Sequence, residues 1–385
     1  MDRKTRCVRG SARPTEIGKP VAPVIVPACT FDFEDHAEVD RFFEGTPGYL
    51  YSRYDNPTVA QAAREIAALE ETQAAAMFAS GMAAISTTVL TLAGPGRRIL
   101  AQRDVYGGTA EFFYKVLPEW GFEVETVSRD ELAGLDVDRL KDVCLVYVET
   151  PTNPALRIVD LAAIGAIARQ AGVPTLVDST FASPMVQRPV AMGIDLVMHS
   201  ATKYLGGHSD LVGGVICGSD EMVGRIAGRR RLLGGVMDSF SAYLLIRGLR
   251  TLAVRQAAQQ ASAMEIAVFL DGHPGVDSVA YPGLPGHPDH DLACRQMDGF
   301  GAMVSFSVPG GVDAARAVHD RLELFHRCGS LGSVESLVSI PALMSHRHVD
   351  RAELEAVGVS ESLLRLSVGL ESSADLIADL ERALH

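Results

Sequence analysis

Short apolar runs alternate with segments of helical spacing through the first half of the chain. AAAMF (74–78), CLVYVE (144–149) and PTLVD (174–178) are short and apolar, as buried strands are. GMAAISTTVLTLA (81–93) and DLAAIGAIARQAG (160–172) carry apolar residues at helical spacing. Further strands are predicted for RRILAQ, FEVETV, DLVMHS and GGVIC, and a further helix for GGTAEFFYKVLPEW. This alternation predicts an α/β fold with an open, mainly parallel sheet, in which chemistry gathers at the carboxyl ends of the strands.

Shifts in the pattern divide the chain into three predicted parts. Residues 1–50 are rich in proline and turn formers, and we interpret them as an N-terminal arm. Residues 51–235 hold the alternating strands and helices and form the predicted α/β domain. Residues 236–385 begin with one long helical stretch (239–272) and continue to a strand-like AMVSFSV and a final helix. They predict a smaller C-terminal α+β domain.

Composition excludes several classes of function. The chain has 385 residues, of which 47% are hydrophobic, enough to bury a sizeable core. A formal charge of −13 leaves no basic face, which argues against a nucleic-acid partner. No apolar run approaches the roughly 20 residues that span a bilayer, and the amino terminus lacks the apolar region of an export signal, so we expect a cytoplasmic protein without membrane contact. Six scattered cysteines without a CxxC pair predict reduced thiols.

Polar residues follow several of the predicted strands. The chain lacks the GxxxxGK[ST], GxGxxG, GxSxG and HExxH motifs, which argues against the common classes of nucleotide-binding proteins and hydrolases. Ser80 and Gly81 follow the first strand and open a helix, where backbone N–H groups can bind an anion. Asn153 follows CLVYVE, and an isolated asparagine at this position would by default be a turn former. Asp178 ends PTLVD and could cap a helix, bind a metal, or pair with a cationic ligand nitrogen.

Lysine chemistry has few candidates. Only five of the 35 basic residues are lysines: Lys4, Lys19, Lys115, Lys141 and Lys203. Lys203 alone follows a buried strand among small polar residues, in SATKY (200–204). Desolvation there lowers the pKa of a lysine and makes a neutral amine available for Schiff-base chemistry.

The histidines suggest a metal only weakly. They include His199, His208, His287, His290, His346 and His348. None pairs with a second cluster at ligand spacing, so we expect no metal site.

Seven motifs occur in an order that marks one family. They are YSRYDNPT, FASGMAA, DVYGGT, ETPTNP, VDST, SATKYLGGHSD and RLSVGLE. From about Pro23 to the carboxyl terminus the sequence strongly resembles the cystathionine γ-synthase/γ-lyase family of pyridoxal-phosphate enzymes of Cys/Met metabolism. The resemblance implies the aspartate-aminotransferase-like fold (fold type I) and the cofactor pyridoxal 5'-phosphate.

The resemblance also implies a role for each site residue. Lys203 would bind the cofactor covalently and carry protons between substrate carbons. Asp178 would keep the ring nitrogen protonated, and Tyr106 would stack on the ring and act as an acid. The phosphate would be bound by Gly81, Met82, Ser200 and Thr202, with Tyr51 and Arg53 reaching it from a neighbouring subunit. The substrate carboxylate would be held by Arg365, with Asn153 and Ser330 assisting. The shared site requires at least a dimer, and the family implies a homotetramer.

The expected reaction is γ-elimination on cystathionine or a related sulfur amino acid in transsulfuration, with release of 2-oxobutyrate, ammonia and a thiol. The alternatives are γ-replacement of the cystathionine γ-synthase or O-acylhomoserine sulfhydrylase type, a methionine γ-lyase, and a specialised γ-substitution enzyme. A non-catalytic cofactor-binding protein is disfavoured because Lys203, Asp178, Tyr106 and Arg365 are all retained.

Departures from the family pattern bear on the substrate. Gly329 stands where cystathionine-handling members often have glutamate, and Gly108 stands where methionine γ-lyases usually have cysteine. Gly329 argues against cystathionine as the substrate, whereas Gly108 argues against methionine. Further departures occur at Ser179, in DSFSAY (238–243), and at Ser333.

Overall fold

A seven-stranded sheet forms the centre of the protein. The structure is a computed structural model that describes residues 2–9, 20–344 and 359–385. In chain order the strands are β1 (Ala74–Phe78), β2 (Arg98–Gln102), β3 (Glu123–Val127), β4 (Val143–Glu149), β5 (Thr175–Asp178), β6 (Leu196–Ser200) and β7 (Gly214–Gly218). Their order across the sheet is β1-β7-β6-β5-β4-β2-β3. Strands β2 to β6 pair in parallel, whereas β7 is antiparallel to both of its neighbours, so the prediction of a mainly parallel sheet is confirmed.

Local sequence explains where these elements begin and end. All seven residues of β4 are buried, as expected for a strand covered by helices on both faces. The helix Leu161–Ala171 begins where the Asp160 side chain accepts the Ala163 N–H. It ends at Gly172, whose φ of +70° is accessible to glycine without strain.

Helices cover both faces of the sheet and continue to the carboxyl terminus. They are α1 (Arg3–Arg9), α2 (His36–Phe43), α3 (Pro57–Glu70), α4 (Gly81–Leu92), α5 (Gly107–Glu111), α6 (Leu117–Glu119), α7 (Arg129–Ala133), α8 (Leu161–Ala171), α9 (Asp220–Leu233), α10 (Ser239–Leu249), α11 (Leu252–Asp271), α12 (His290–Gln296), α13 (Gly311–Arg321) and α14 (Ser373–Leu384). A π-helical turn, Phe112–Val116, joins α5 to α6. None of these described helices is long and apolar enough to cross a membrane.

A second, smaller sheet lies in the carboxyl-terminal part of the chain. Its strands are β8 (Ser278–Ala280), β9 (Met303–Ser307), β10 (His326–Arg327), β11 (Leu337–Ser339) and β12 (Leu363–Ser367), in the order β10-β11-β12-β9-β8. All pairs are antiparallel except β10 with β11. The division into an arm and two domains stays a prediction that these sheets support.

One expectation about helices was wrong in detail. The long helical stretch is interrupted between α10 and α11, because the N–H groups of Arg250 and Thr251 bond three residues back and tighten the turn. The predicted N-terminal arm contains two helices, α1 and α2. Cys7 of α1 is buried in the hydrophobic core, and all six cysteines are free thiols.

Candidate functional site

A cavity of about 260 Å³ lies where β4, β5 and β6 end. Most of the residues predicted for the site line it: Gly81, Met82, Tyr106, Asn153, Asp178, Ser200, Thr202, Lys203 and Arg365. Ser330 adjoins them, because its hydroxyl accepts a hydrogen bond from Lys203. The fold therefore brings together side chains that lie far apart in the sequence. The role of each residue stays a prediction.

Lys203 follows β6 and presents a buried amine to the cavity. Its Nζ donates to Ser330 Oγ at 2.8 Å. Burial, reinforced by the positive charge of Arg365, lowers the pKa of Lys203 to about 8. Gly332 allows this approach, since its φ is +76° and a Cβ there would lie 2.6 Å from the Tyr204 nitrogen. The neutral fraction of the amine near physiological pH is thus far larger than at the ordinary lysine pKa of 10.5.

The first turn of α4 forms an anion cradle with the turn that follows β6. The Ser80 side chain caps the helix by accepting the Ala83 N–H at 3.0 Å. A Cβ on Gly81 would lie 3.0 Å from Met198 Cε and 3.2 Å from Ser200 Cβ, so only glycine fits without displacing its neighbours. Thr202 Oγ1 accepts the Gly213 N–H at 3.0 Å, which orients that hydroxyl. Helix N–H groups beside two hydroxyls suit a phosphate.

Asp178 is the last residue of β5, and its carboxyl group is buried. Its Oδ1 accepts the Thr180 N–H at 2.9 Å. Burial raises the pKa of Asp178, while hydrogen bonds from Thr180 and the charge of His199 oppose that rise. Such a carboxylate needs a cationic partner, which a protonated ring nitrogen would supply.

Tyr106 stands at the mouth of the cavity. Its side chain is 44% exposed, and its backbone N–H donates to Glu149 Oε2 at 2.7 Å. A Cβ on Gly108 would lie 2.7 Å from Tyr106 Cε1, so the glycine leaves room for this ring position. The phenol thus has the freedom to cover a ligand bound below it.

Glu149 lines the cavity but is not among the residues predicted from the sequence. It is the last residue of β4, it lines the cavity, and it is only 3% exposed. Burial raises the pKa of Glu149 well above its usual range, and the neighbouring Asp178 raises it further. The sequence could have indicated this residue, because Glu149 is the polar last residue of an otherwise apolar strand.

The guanidinium group of Arg365, on β12, is suited to bind a carboxylate. Its Nη1 donates to Asn153 Oδ1 at 2.6 Å and its Nη2 donates to the Ser330 carbonyl at 3.2 Å. Its Nε is buried without a hydrogen-bond partner. Burial lowers the pKa of Arg365 to about 10, which leaves the group charged at neutral pH. A buried guanidinium N–H without a partner needs an acceptor, and a substrate carboxylate would provide one.

Tyr51 and Arg53 lie apart from the residues that line this cavity. Arg53 Nη1 donates to the Arg231 carbonyl at 2.8 Å, and its guanidinium stacks on the Tyr51 ring at 5.6 Å. Both side chains are exposed. Within one chain, the structure does not bring them to the site.

One group of possible metal ligands occurs among the described residues, away from this cavity. It consists of His273, Glu381 and His385. Gly275 N–H donates to His273 Nδ1 at 3.0 Å, so the ring proton lies on Nε2, the atom that faces Glu381. This tautomer favours an imidazole–carboxylate contact over metal binding. His346 and His348 lie outside the described residues.

The cavity as a whole fits pyridoxal 5'-phosphate. A buried amine of lowered pKa suits its aldehyde, a buried carboxylate suits its ring nitrogen, and the cradle at α4 suits its phosphate. Arg365 Nε, which is buried without a hydrogen-bond partner, would then be available to the substrate carboxylate.

Comparisons with known proteins give the family. The chain is 41% identical over 352 residues to "Cystathionine gamma-lyase" of Dictyostelium discoideum, with 89% of this chain and 90% of that protein covered. It is 40% identical to "L-methionine gamma-lyase" of Pseudomonas deceptionensis, with 99% and 96% covered. A crystal structure of cystathionine gamma synthase from Xanthomonas oryzae pv. oryzae superposes with a TM-score of 0.93 at 38% identity and covers 100% of this chain and 98% of that one. The model of the Cys/Met metabolism PLP-dependent enzymes matches residues 4–385, and the chain belongs to this family.

Proposed function

We propose that this enzyme uses pyridoxal 5'-phosphate to break the Cγ–S bond of cystathionine or a related sulfur amino acid, releasing 2-oxobutyrate, ammonia and a thiol. The observation that carries the proposal is that Lys203 and Arg365 share Ser330. Lys203 Nζ donates to the Ser330 hydroxyl, and Arg365 Nη2 donates to the Ser330 carbonyl. A substrate whose carboxylate binds Arg365 therefore has its α-carbon near the lysine amine.

Lys203 is the proton carrier of the proposed reaction. When bound, pyridoxal 5'-phosphate supplies an electron sink for the charge left by the departing α-proton. The neutral amine of Lys203 takes that proton, and its pKa of about 8 suits both uptake and release near neutral pH. We assign the proton transfer at the adjacent β-carbon to the same amine, because the main chain of Lys203 is fixed by hydrogen bonds with Ser200 and Gly207 while its long side chain is flexible.

Asp178 and Tyr106 act at the two ends of the cofactor site. Asp178 provides the buried negative charge that keeps the ring nitrogen protonated. Tyr106, half exposed at the mouth of the cavity, is the candidate acid for the departing sulfur. Asn153 and Arg365 hold the carboxylate still while these groups act.

The described cavity wall also accommodates a small neutral thioether. The cationic side chains among the described lining residues are Lys203 and Arg365, and both already have roles. Gly329 adds no side chain, and a Cβ there would meet Met344 Cε at 3.6 Å. No described lining residue offers a further cation to a second carboxylate. Methionine-type substrates are therefore the second candidate beside cystathionine.

A substrate panel tests the proposed reaction. Cystathionine, methionine and homocysteine are each supplied alone, and O-acylhomoserine is supplied with cysteine, while 2-oxobutyrate and thioether products are measured. We expect 2-oxobutyrate from at least one sulfur amino acid without added thiol, and none from Lys203→Ala. Thioether formation from O-acylhomoserine as the sole reaction would contradict elimination and favour γ-replacement.

We further propose that the site is shared between subunits of a homotetramer. The support is that Tyr51 and Arg53 are exposed and lie apart from the cavity residues of their own chain. Mixing inactive Arg53→Ala and Lys203→Ala proteins under subunit exchange should restore part of the activity, since hybrid dimers contain one intact site. Absence of recovery with demonstrated exchange would contradict sharing.

A further inference from the structure

Two carboxyl groups stand side by side at the floor of the cavity. Glu149 on β4 pairs directly with Asp178 on β5 in the parallel register. Both line the cavity, and they are 3% and 6% exposed. Two like charges on adjacent strands in a site of low dielectric repel each other strongly. Burial and this repulsion favour a proton on one of the two carboxyl groups.

The surroundings place the negative charge on Asp178. Asp178 accepts the Thr180 N–H, and the His199 imidazole on β6 stabilises its anion. Glu149 accepts one N–H, from Tyr106, and faces two carboxyl groups, Asp178 and Asp104.

Further groups act on Glu149 from the elements around it. Arg365 on β12 favours the ionised form, and Tyr147, on β4 itself, lies near both carboxyl groups. Burial and the two acidic neighbours outweigh the Tyr106 N–H and Arg365, and they raise the pKa of Glu149 well above its usual range.

We propose that Glu149 is a positioning residue that works as a neutral carboxylic acid: it anchors the main chain at Tyr106 and leaves Asp178 as the single anion of the pair. Its Oε2 accepts the Tyr106 N–H at 2.7 Å, directly before α5. The Tyr106 side chain itself makes no cap hydrogen bond at the start of α5. Loss of the anchor would release the segment that carries the ring.

The network extends one strand further. The Glu149 N–H donates to Gln102 Oε1 at 3.0 Å, and Gln102 Nε2 donates to Asp104 Oδ1 at 3.0 Å. Gln102 is fully buried at the end of β2. The ends of β2 and β4 and the start of α5 are thus tied together through Glu149. The inference rests on the proposed cofactor site, and it is independent of which thioether is cleaved.

Three variants of the full-length protein test this role. Glu149→Gln keeps the acceptor without charge, Glu149→Ala removes it, and Glu123→Gln changes an exposed glutamate as the control. Affinity for pyridoxal 5'-phosphate is measured by titrating each apoprotein, and the spectrum of each loaded enzyme is recorded. Because one buried hydrogen bond is worth roughly a factor of ten, we expect about tenfold weaker binding in Glu149→Ala and less than about threefold in Glu149→Gln.

The outcomes separate the possible roles. Glu149→Gln as weak as Glu149→Ala would show that an ionised carboxylate is needed and would overturn the proposal, as would full affinity in Glu149→Ala. Infrared difference spectra between the wild-type holoenzyme and Glu149→Gln provide a second readout. We expect the wild type to show, at neutral pH, a carbonyl stretch of a protonated carboxylic acid that Glu149→Gln lacks, and the absence of this difference band would overturn the neutral assignment. Failure of the sulfur substrates alone would leave these measurements unaffected.

Discussion

Asn153 Oδ1 accepts a 2.6 Å hydrogen bond from Arg365 Nη1, joining the loop after β4 to β12 of the smaller sheet. The two residues are 212 positions apart in the chain. The proposed carboxylate site therefore spans both sheets, and its geometry depends on how the two pack.

Arg365→Lys tests the assignment of the carboxylate site. A lysine cannot reproduce the planar fork that Asn153 and Ser330 orient. We expect the KM for the amino-acid substrate to rise about 100-fold, since a bidentate charge-assisted pair is lost. The visible spectrum of the bound cofactor should persist. Arg316→Lys, an exposed change on α13, is the control, and an unchanged KM in Arg365→Lys would refute the assignment.

Asp289 should influence substrate binding from outside the cavity. Its Oδ2 accepts from Arg157 Nε at 2.7 Å and from the Ile158 N–H at 3.0 Å, which secures the loop that carries Asn153. We expect Asp289→Asn to raise KM several-fold through displacement of Asn153, with cofactor affinity retained. Asp291→Asn, an exposed change two residues away, serves as the control. Equal loss of cofactor and substrate affinity would indicate general destabilisation instead.

Gly81→Ala should weaken cofactor binding specifically. The new methyl group would lie 3.0 Å from Met198 Cε and 3.2 Å from Ser200 Cβ, in the proposed phosphate cradle. We expect affinity for pyridoxal 5'-phosphate to fall about tenfold, because cradle hydrogen bonds lengthen. Gly94→Ala is the matched control, since a Cβ there meets no atom within 4 Å. Equal affinities of the two variants would rule out the cradle.

Covalent uptake of the cofactor by the apoprotein should depend on pH through Lys203. Only the neutral amine attacks an aldehyde, and burial lowers the pKa of Lys203 to about 8. The rate of appearance of the visible band should therefore increase as pH rises through about 8 and then level off. A rate that keeps increasing toward the ordinary lysine value of 10.5 would contradict the lowered pKa.

Sequence pattern predicted the large sheet well and the site only in part. Strands such as β4 are short, apolar and separated by helices, so their positions follow from local spacing. Asp178 and Lys203 could be predicted as site residues, because Asp178 ends such a strand and Lys203 lies three residues after one. The Lys203–Ser330 contact spans 127 residues and depends on tertiary packing, which local periodicity does not encode. Those partners came from the family resemblance alone.

Two features escaped prediction for identifiable physical reasons. Helix α2 is capped by Asp35, whose side chain accepts the Glu38 N–H, but surrounding turn formers hid this signal. Glu149 was not singled out, although it ends an apolar strand as Asp178 does. Its significance arises from register, which places it beside Asp178.

The absorbance spectrum of Lys203→Ala after incubation with pyridoxal 5'-phosphate shows whether this lysine binds the cofactor covalently. The remaining described lysines, Lys4, Lys115 and Lys141, do not line the cavity, and Lys115 and Lys141 pair with surface carboxylates. Lys115→Ala is the control variant. We predict that the visible band of covalently bound cofactor is absent from Lys203→Ala and present in Lys115→Ala. A band that persists in Lys203→Ala would contradict the account.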